Sequence, residues 1–356
     1  MSTLDAAETH EDHSCCGSMH TAQKPWYQDV TVWILIVGTG LIAASFVVPG
    51  LVVFHAAAMH YLRKLWLPVL AGLFLGGLLE RFVPESYVSK QLARPGKSTV
   101  FYAVGLGFLM SACSHGLIAL SMELHRKGAS GAAIVSFLLA SPWASLPITL
   151  LLIGLFGAKS FVIIFGALVI AVVTGLIFQA LARAGLIEKN RHTVTVHSEF
   201  SIRKDIRRRL SQYRFSWTGL FSDLKMILRG AASLAHMTLG WTVFGLVMAS
   251  LSNAFVPTDW FHRFLGPSAM GLCGTLALAT VLEVCSEGTS PLAFEIYRQT
   301  GAFGNAVAFL MGGVVTDYTE IGLIWQNIGR RTALWLLAVS LPQVFLLGLL
   351  LNKLGL

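Results

Sequence analysis

The feature that most constrains this sequence is a pair of polar tetrapeptides, each inside an apolar stretch long enough to cross a bilayer. They read Cys113-Ser114-His115-Gly116 and Cys285-Ser286-Glu287-Gly288, and the second follows the first by 172 residues. Polar groups at membrane depth are costly and usually functional. The pair therefore predicts a duplicated membrane protein in which two motifs contribute to one binding site.

The sequence around the two motifs repeats as well. The ungapped match includes Leu120/Leu292, Glu123/Glu295, Arg126/Arg298, Val135/Val307 and Phe137/Phe309, and Phe82-Val83-Pro84 recurs as Phe255-Val256-Pro257. Matches of leucine and valine are common among membrane sequences, whereas matches of Cys, Glu, Arg and Phe-Val-Pro are not. We therefore predict two homologous repeats.

The composition indicates the class of fold. Of the 356 residues, 55% are hydrophobic and only 12% are charged, whereas soluble domains carry about 25% charged residues. The apolar runs are too long for alternating barrel strands, and helices satisfy their own backbone hydrogen bonds in lipid. The prediction is an all-α, polytopic membrane bundle with broken helices at the midplane.

Nine apolar stretches divide the chain. We predict spans at residues 31–55, 65–83, 99–124, 129–157 and 161–184, and again at 228–255, 268–296, 301–325 and 332–352. This pattern gives one extra N-terminal span and four spans in each repeat. It leaves open whether the repeats are parallel or inverted, an arrangement common in transporters.

Four regions follow: a His- and Cys-containing tail (1–30), a first membrane half (31–184), a basic linker (185–224) and a second membrane half (225–356). Within the linker, residues 186–215 carry eight Lys or Arg against three acidic residues. Such a loop usually marks the cytoplasmic side, so we expect a multi-pass membrane protein with a cytoplasmic linker and no nucleic-acid partner. On this model the turn His125-Arg126-Lys127 and Arg298 also fall inside.

The motif residues suggest a metal site. Glycine beside serine and cysteine weakens a helix, and two broken helices meeting near the midplane form the usual substrate site of a secondary transporter. Thiolate, imidazole and carboxylate suit zinc or a similar cation, and two thiolates alone suit a trivalent arsenical. The alternative is that small residues merely let helices pack closely. The candidate ligands are Cys113, His115, Cys285 and Glu287, and the candidate motif backbone is that of Ser114, Gly116, Ser286 and Gly288.

Other ionisable residues in the apolar stretches could serve transport. Intramembrane acids usually mark ion or proton pathways, and Glu283, Asp317 and Glu320 are the proton-coupling candidates, unless they lie at the membrane boundary. Two i,i+3 pairs, Glu123 with Arg126 and Glu295 with Arg298, could form salt bridges that act in gating or in structure alone. A proton is therefore the expected counter-ion.

The N-terminal tail concentrates soft ligands. They are His10, His13, Cys15, Cys16, Met19 and His20. A tail of this kind could capture copper, zinc or a metalloid, although chance could also produce it. The sequence contains no P-loop, no G-x-S-x-G and no H-E-x-x-H. We expect a transporter rather than an enzyme, with no required cofactor.

At these residues the chain resembles the predicted-permease family that includes the ArsP-type organoarsenical exporters of bacterial inner membranes. The matching segments are Cys113-Ser114, Cys285-Ser286, Arg126-Lys127-Gly128-Ala129-Ser130, Phe137-Leu138-Leu139-Ala140-Ser141-Pro142 and Ala308-Phe309-Leu310-Met311-Gly312, within residues 60–355. The resemblance implies a location in a bacterial inner membrane and outward transport of a thiophilic substrate. Family members tend to carry Cys-Ser-Cys where this chain has His115 and Glu287, and Pro and Asn where it has Val314 and Asp317. These departures shift the expected substrate toward zinc, copper or iron.

The resulting hypothesis is a secondary-active permease in the lipid bilayer that exports a thiophilic metal ion or metalloid bound between the two motifs. One alternative is a transporter of a sulfur-containing anion, held by the N-termini of the broken helices. Another is a membrane metallochaperone or cofactor-assembly factor, which would bind metal without moving it across the membrane.

Overall fold

The computed structural model describes residues 30–82, 98–107, 114–126, 128–188, 190, 217–282 and 285–355, except for the side chains of residues 80–82, 114–116, 118, 119, 144 and 217–222. These ranges contain fourteen α-helices and two short 3-10 turns, Pro49–Leu51 and Gly157–Lys159. In the first half the helices are α1 (Val30–Ala44), α2 (Val52–Phe82), α3 (Thr99–Gly107), α4 (Ser114–Arg126), α5 (Gly131–Ala144), α6 (Leu146–Phe156) and α7 (Ser160–Arg183). In the second half they are α8 (Trp217–Phe255), α9 (Thr258–Leu265), α10 (Ala269–Val281), α11 (Ser286–Thr300), α12 (Phe303–Val315), α13 (Tyr318–Asn327) and α14 (Arg330–Lys353).

Five stretches within the described ranges are long and apolar enough to cross a membrane. They are Pro49–Leu79, Leu146–Arg183, Asp223–Phe255, Phe303–Asn327 and Arg330–Lys353. A sixth is added if α9 and α10, which meet at a bend of 102°, are counted as one broken or re-entrant segment. The prediction of an all-helical, multi-pass membrane protein is therefore confirmed.

The start of the membrane region differs from the prediction. The two predicted spans at 31–55 and 65–83 are replaced by the short α1 and the 31-residue α2, which continues through the predicted polar gap. The chain turns instead at Pro49, whose fixed φ and missing N–H suit the first position of a turn. Polar residues in the gap do not stop the helix because they find partners or solvent: the His55 Nδ1 atom lies 3.0 Å from the Ser45 hydroxyl, and Arg63 is exposed.

Several predicted spans are pairs of short helices. The second-motif stretch is divided into α10 and α11, and α11 begins at Ser286. The first-motif stretch is divided between α3 and α4, and α4 begins at Ser114, while residues 108–113 lie outside the described ranges. The stretch 129–157 breaks at Ser145, two residues before Pro147. Helix α8 begins at Trp217, eleven residues before the predicted start, because the residues that precede the apolar stretch continue its helix.

Helix positions in the second half repeat those in the first. Helices α4 and α11, α5 and α12, and α6 and α13 each begin 172 residues apart. The packing recurs too: α3 packs on α5 as α10 packs on α12, and α5 on α7 as α12 on α14. Between the halves, α4 contacts α13 and α6 contacts α11, while α5 meets α12 and α7 meets α14. Such reciprocal contacts are those of a two-fold interface.

The equivalent helices α7 and α14 are antiparallel. Glu188, which follows the end of α7, accepts hydrogen bonds from the backbone N–H groups of Arg331 and Thr332 in the first turn of α14, both at 2.9 Å. Gly166, near the start of α7, faces Leu347 near the end of α14. We call the membrane side at the end of α7 the linker side, because the linker follows it, and the opposite side the far side.

The equivalent helices α2 and α8 are also antiparallel. Gly77, near the end of α2, packs on the backbone of Ile227 and Ala231 near the start of α8. Tyr61, nearer the start of α2, meets Asn253 near the end of α8, because both bind the same carboxylate. Two pairs of equivalent helices thus run in opposite directions, so equivalent ends of the two halves lie on opposite sides of the molecule.

Candidate functional site

The second motif forms the start of α11. Cys285 is the N-cap residue, and its carbonyl oxygen accepts hydrogen bonds from the N–H groups of Gly288 at 2.9 Å and Thr289 at 3.0 Å. The Ser290 hydroxyl donates to the Ser286 carbonyl at 2.7 Å. The hydroxyl groups of Thr289 and Ser290 therefore satisfy a backbone acceptor of their own helix. The cysteine sulfur and the acidic side chain are left as the chemically distinctive groups of the motif.

Cys285 and Glu287 lie side by side at this helix start. Cys285 is half-buried and Glu287 is 8% exposed. The Glu287 Oε2 atom accepts a hydrogen bond from the Ser286 hydroxyl at 3.2 Å, and Cys285 caps the same first turn of α11. A carboxylate in the first turn complements the helix dipole. The motif thus places one thiol and one carboxyl group in the same mostly buried turn.

A glycine contact fixes the position of this turn. Gly245 of α8 packs against Gly288, and a Cβ atom added at Gly245 would lie 2.8 Å from the carbonyl carbon of Gly288. Helices α8 and α11 run parallel, since Asn253 meets Glu295 further along both helices. The motif can approach α8 this closely because neither residue has a side chain.

The first motif starts α4, and α4 runs the opposite way from α11. The His125 carbonyl at the end of α4 accepts a hydrogen bond from the Asn190 amide at 2.7 Å, on the linker side. Near the end of α11 the Tyr297 hydroxyl lies 2.7 Å from Lys159, which precedes α7 on the far side. The expectation that Arg298 lies on the linker side is therefore wrong, because the two motif helices diverge from their motifs toward opposite faces.

The predicted ligand side chains of the first motif belong to the part of the chain that the structure does not describe. Cys113 and Glu283 lie outside the described residues, as do the side chains of Ser114, His115 and Gly116. Among the residues that are described, no group of three or more His, Cys, Asp and Glu could hold a metal ion. The structure therefore brings together the Cys285 and Glu287 half of the predicted site.

Both motifs approach one central helix pair. Gly107, which ends α3 before the first motif, packs on Ser141 of α5. The equivalent residues in the second half are Ala279 of α10, before the second motif, and Gly313 of α12, where an added Cβ atom would lie 4.0 Å from the Ala279 carbonyl oxygen. A cavity of ≈ 10 Å³ lies between α5, α7, α12 and α14, lined by Leu139, Trp143, Ala167, Ile170, Met311, Val314, Val315 and Val344. The described apolar side chains therefore nearly fill the space between these four helices.

The acids predicted to couple protons differ in their surroundings. Asp317 is the N-cap of α13, and its Oδ1 atom accepts hydrogen bonds from the N–H groups of Thr319 at 2.8 Å and Glu320 at 2.9 Å. This contact gives Asp317 a structural role, that of satisfying free N–H groups at a helix start. Glu320 is 3% exposed on α13, which packs on α4.

The two predicted salt-bridge pairs also differ. Arg298 binds Glu295 through two hydrogen bonds, from Nε at 2.9 Å and Nη2 at 2.8 Å. Glu295 is 1% exposed, whereas Glu123 and Arg126 are both exposed. Sequence reasoning did not single out Tyr61 and Asn253, which also bind Glu295. An asparagine inside an otherwise apolar span was the one available signal for Asn253.

The remaining predicted ligands belong to the tail, and His10, His13, Cys15, Cys16, Met19 and His20 all lie outside the described residues. One further cysteine is described. Cys273 is exposed on α10, where it lines an open apolar groove between α10 and α14. It lies apart from the motif turn and so provides a natural control for the motif thiols.

Comparison with known proteins identifies the relatives of this chain. A family model described as "Predicted permease" (ArsP_1) matches residues 32–353. Rv2963 of Mycobacterium tuberculosis, which is named as a permease, is 26% identical over 279 residues, covering 72% of this chain and 66% of that protein. The UPF0718 protein YcgR of Bacillus subtilis is 23% identical over 80% of this chain and 92% of its own length. The UPF0718 protein YraQ of Escherichia coli is 32% identical over 31% of this chain and 32% of its own length. No solved structure matches.

Proposed function

Because this chain belongs to the predicted-permease family ArsP_1, we propose that it is a secondary-active permease that exports a thiophilic metal ion or metalloid bound between its two motifs. The family and the multi-pass helical architecture imply transport rather than catalysis. The observation that carries the substrate class is the Cys285 thiol beside the buried Glu287 carboxylate at the start of α11.

The depth of this pair supports a site near the membrane midplane. Glu295 and Arg298 lie near the far-side end of α11, at the level of Lys159. Cys285 precedes Glu295 by ten residues, which at the helical rise of 1.5 Å per residue is about 15 Å, half of a hydrocarbon core of about 30 Å. A substrate site at this depth is typical of secondary transporters.

The antiparallel arrangement of equivalent helices supports a site shared by both halves. Helix α4 starts at its motif and runs to the linker side, as α11 starts at its motif and runs to the far side. An inverted repeat of this kind brings both motif turns to the same depth from opposite directions. We therefore assign Cys113 and His115 as the ligands that complete the site begun by Cys285 and Glu287.

The chemistry of the described half favours a cation over an anion. A buried carboxylate repels an anion strongly, because charges interact more strongly in the interior than in water. Thiolate, imidazole and carboxylate together suit zinc, copper or iron. The thiols must lose protons to bind metal and regain them on release, which links transport to pH. Glu320, buried against α4, is the better placed of the proton-coupling candidates, since Asp317 caps a helix.

For an exporter, the substrate enters from the cytoplasm, and we assign the cytoplasm to the linker side. The linker carries most of the net charge of +8, and basic loops between spans are usually retained in the cytoplasm. The substrate would enter from that side, bind at the motifs and leave at the far side. This direction follows the family resemblance.

Flux measurements on purified protein in proteoliposomes test the site. We expect Zn²⁺, Cu⁺, Fe²⁺ or a trivalent arsenical to be moved by the wild-type protein and by Cys273→Ser, and not by Cys113→Ser or Cys285→Ser. All four proteins should have the same yield and elution profile in detergent. Unchanged flux in both motif variants contradicts the proposed site.

Two further outcomes separate the alternatives. Stoichiometric metal in the purified protein without any flux would support a metallochaperone. Flux of a sulfur-containing anion that persists in excess chelator would support the anion transporter, whose substrate would have to bind despite Glu287.

A further inference from the structure

Glu295 joins three helices on the far side of the molecule. It lies on α11 and is 1% exposed. The Tyr61 hydroxyl of α2 donates to its Oε2 atom, and the Asn253 amide of α8 donates to its Oε1 atom at 3.0 Å. Neither of these partners is on α11. A single buried carboxylate therefore connects the motif helix to both long helices beside it.

Residues of its own helix also bind the Glu295 carboxylate. Arg298 binds both oxygens, and the Gln299 amide donates to Oε1 at 2.7 Å. Charge-assisted and bidentate hydrogen bonds of this kind are the strong ones. Next to this network, the ammonium group of Lys64 lies 4.4 Å from the centre of the Phe294 ring. A connected set of hydrogen bonds therefore ties the far-side end of α11 to α2 and α8.

The equivalent position in the first half has a different environment. Glu123 and Arg126 lie 172 residues before Glu295 and Arg298, on the linker-side end of α4, and both are exposed. Arg298 is exposed as Arg126 is, so the two pairs differ at their acids. Among the described residues, the acid at the far-side end is buried and the equivalent acid at the linker-side end is exposed.

We propose that Tyr61, Asn253 and Glu295 form the far-side gate of this permease and that the structure represents the state open toward the linker side. In the alternate state the network separates, and Glu123 becomes buried on the linker side. The proposal rests on the proposed function, since a gate implies alternating access. It adds two positioning residues, Tyr61 and Asn253, that hold the gate closed by binding Glu295.

Thiol labelling in oriented membrane vesicles tests the gate without any metal. The parent protein carries serine at Cys15, Cys16 and Cys273 and retains the two motif cysteines. A membrane-impermeant methanethiosulfonate is added from either side, and labelled peptides are identified by mass spectrometry. Separate variants with Arg330→Cys and Ala158→Cys, both at exposed positions, mark the linker and far sides.

In the parent, the motif thiols should react from the linker side and not from the far side. Tyr61→Phe keeps the ring and removes the hydroxyl, so far-side labelling should rise about tenfold, the effect of losing one hydrogen bond to a charged group. Adding Glu123→Gln to Tyr61→Phe should reverse this rise, because it weakens closure of the opposite side. As a matched control, Tyr318→Phe, at an exposed tyrosine, should change nothing.

Two results would overturn the proposal. One is equal labelling of the parent from both sides, and the other is a properly folded Tyr61→Phe protein with parental labelling. Failure of the metal proposal looks different: Cys285→Ser would leave flux intact, while labelling of the parent would still depend on the side. The gate and the substrate assignment are therefore tested separately.

Discussion

The contact between Gly245 and Gly288 offers a sharp test of how the motif turn is positioned. In Gly245→Ala, the new Cβ atom would lie 2.8 Å from the carbonyl carbon and 3.0 Å from the Cα atom of Gly288, and closer still to its carbonyl oxygen. Carbon atoms in ordinary contact are about 3.5 Å or more apart. Because the obstacle is backbone, no side chain can rotate away, and α8 and α11 must separate by about 1 Å.

The size of the effect follows from two opposing contributions. Overpacking typically costs about 1–3 kcal/mol, and the upper part of that range applies when backbone meets backbone. Alanine is favoured over glycine within a helix by about 1 kcal/mol. We expect a net loss of about 2 kcal/mol in the free energy of unfolding. Since the displaced turn carries Cys285 and Glu287, metal affinity should fall about tenfold or more.

The assay compares two glycine-to-alanine changes in detergent-purified protein. Gly105 lies in α3, and a Cβ atom there would meet no atom within 4 Å, so Gly105→Ala should be neutral or slightly stabilising. Unfolding is followed by tryptophan fluorescence in increasing denaturant, and metal affinity by titration. If Gly245→Ala matches Gly105→Ala in both measurements, the two helices do not touch at the motif and the argument fails.

Two further changes test how the bundle is held together. Asn305 is fully buried and donates to the carbonyl groups of Leu265 and Gly266 at 3.0 Å, so Asn305→Ala should lower the unfolding free energy by about 3 kcal/mol, whereas exposed Asn327→Ala should change it by less than about 0.5 kcal/mol. Glu188→Gln should cost about 1 kcal/mol at neutral pH, because the charged cap of α14 is lost. Burial raises the pKa of Glu188, but the hydrogen bonds donated by α14 outweigh it, so its folded pKa lies below its ordinary value. The stabilisation is therefore present at neutral pH and disappears as pH falls below about 4, where the wild-type protein and the Glu188→Gln variant should unfold alike.

Local chemistry explains which parts of the fold could be predicted. The breaks at Ser114, Ser286 and Ser145 follow from residues that weaken a helix or start one. The turn at Pro49 was missed because polar residues between 55 and 64 gave a more conspicuous signal than one proline. Asp317 carries two signals. Its apolar surroundings suggest a proton-coupling acid, whereas an acid followed by Thr319 and Glu320 is typical of a helix N-cap, and the structure shows the N-cap contact.

The network at Glu295 could be predicted only in part. The i,i+3 spacing indicated the pair with Arg298, since it depends on one helix alone. Tyr61 is separated from Glu295 by 234 residues, and no local pattern relates them. The burial of Glu295 and the exposure of Glu123 are likewise unpredictable, because both are glutamates with an arginine three residues later and only their tertiary contacts differ.

The relative orientation of the halves illustrates what one contact can decide. Counting spans in the sequence did not show whether the halves are parallel or inverted, because a broken helix need not cross the membrane. The hydrogen bonds between Glu188, after the end of α7, and the start of α14 show that these two equivalent helices are antiparallel. This inverted arrangement gives a physical reason for a sequence difference between the two repeats. On the linker side α4 ends in His125, Arg126 and then Lys127, whereas the equivalent far-side residues are Tyr297, Arg298 and Gln299. The one far-side base of this set is bound by Glu295 at 2.8 Å. The linker-side end of α4 therefore carries more Lys and Arg than the far-side end of α11. The positive-inside rule associates such an excess with the cytoplasmic side, so the difference agrees with the proposal that the linker side faces the cytoplasm.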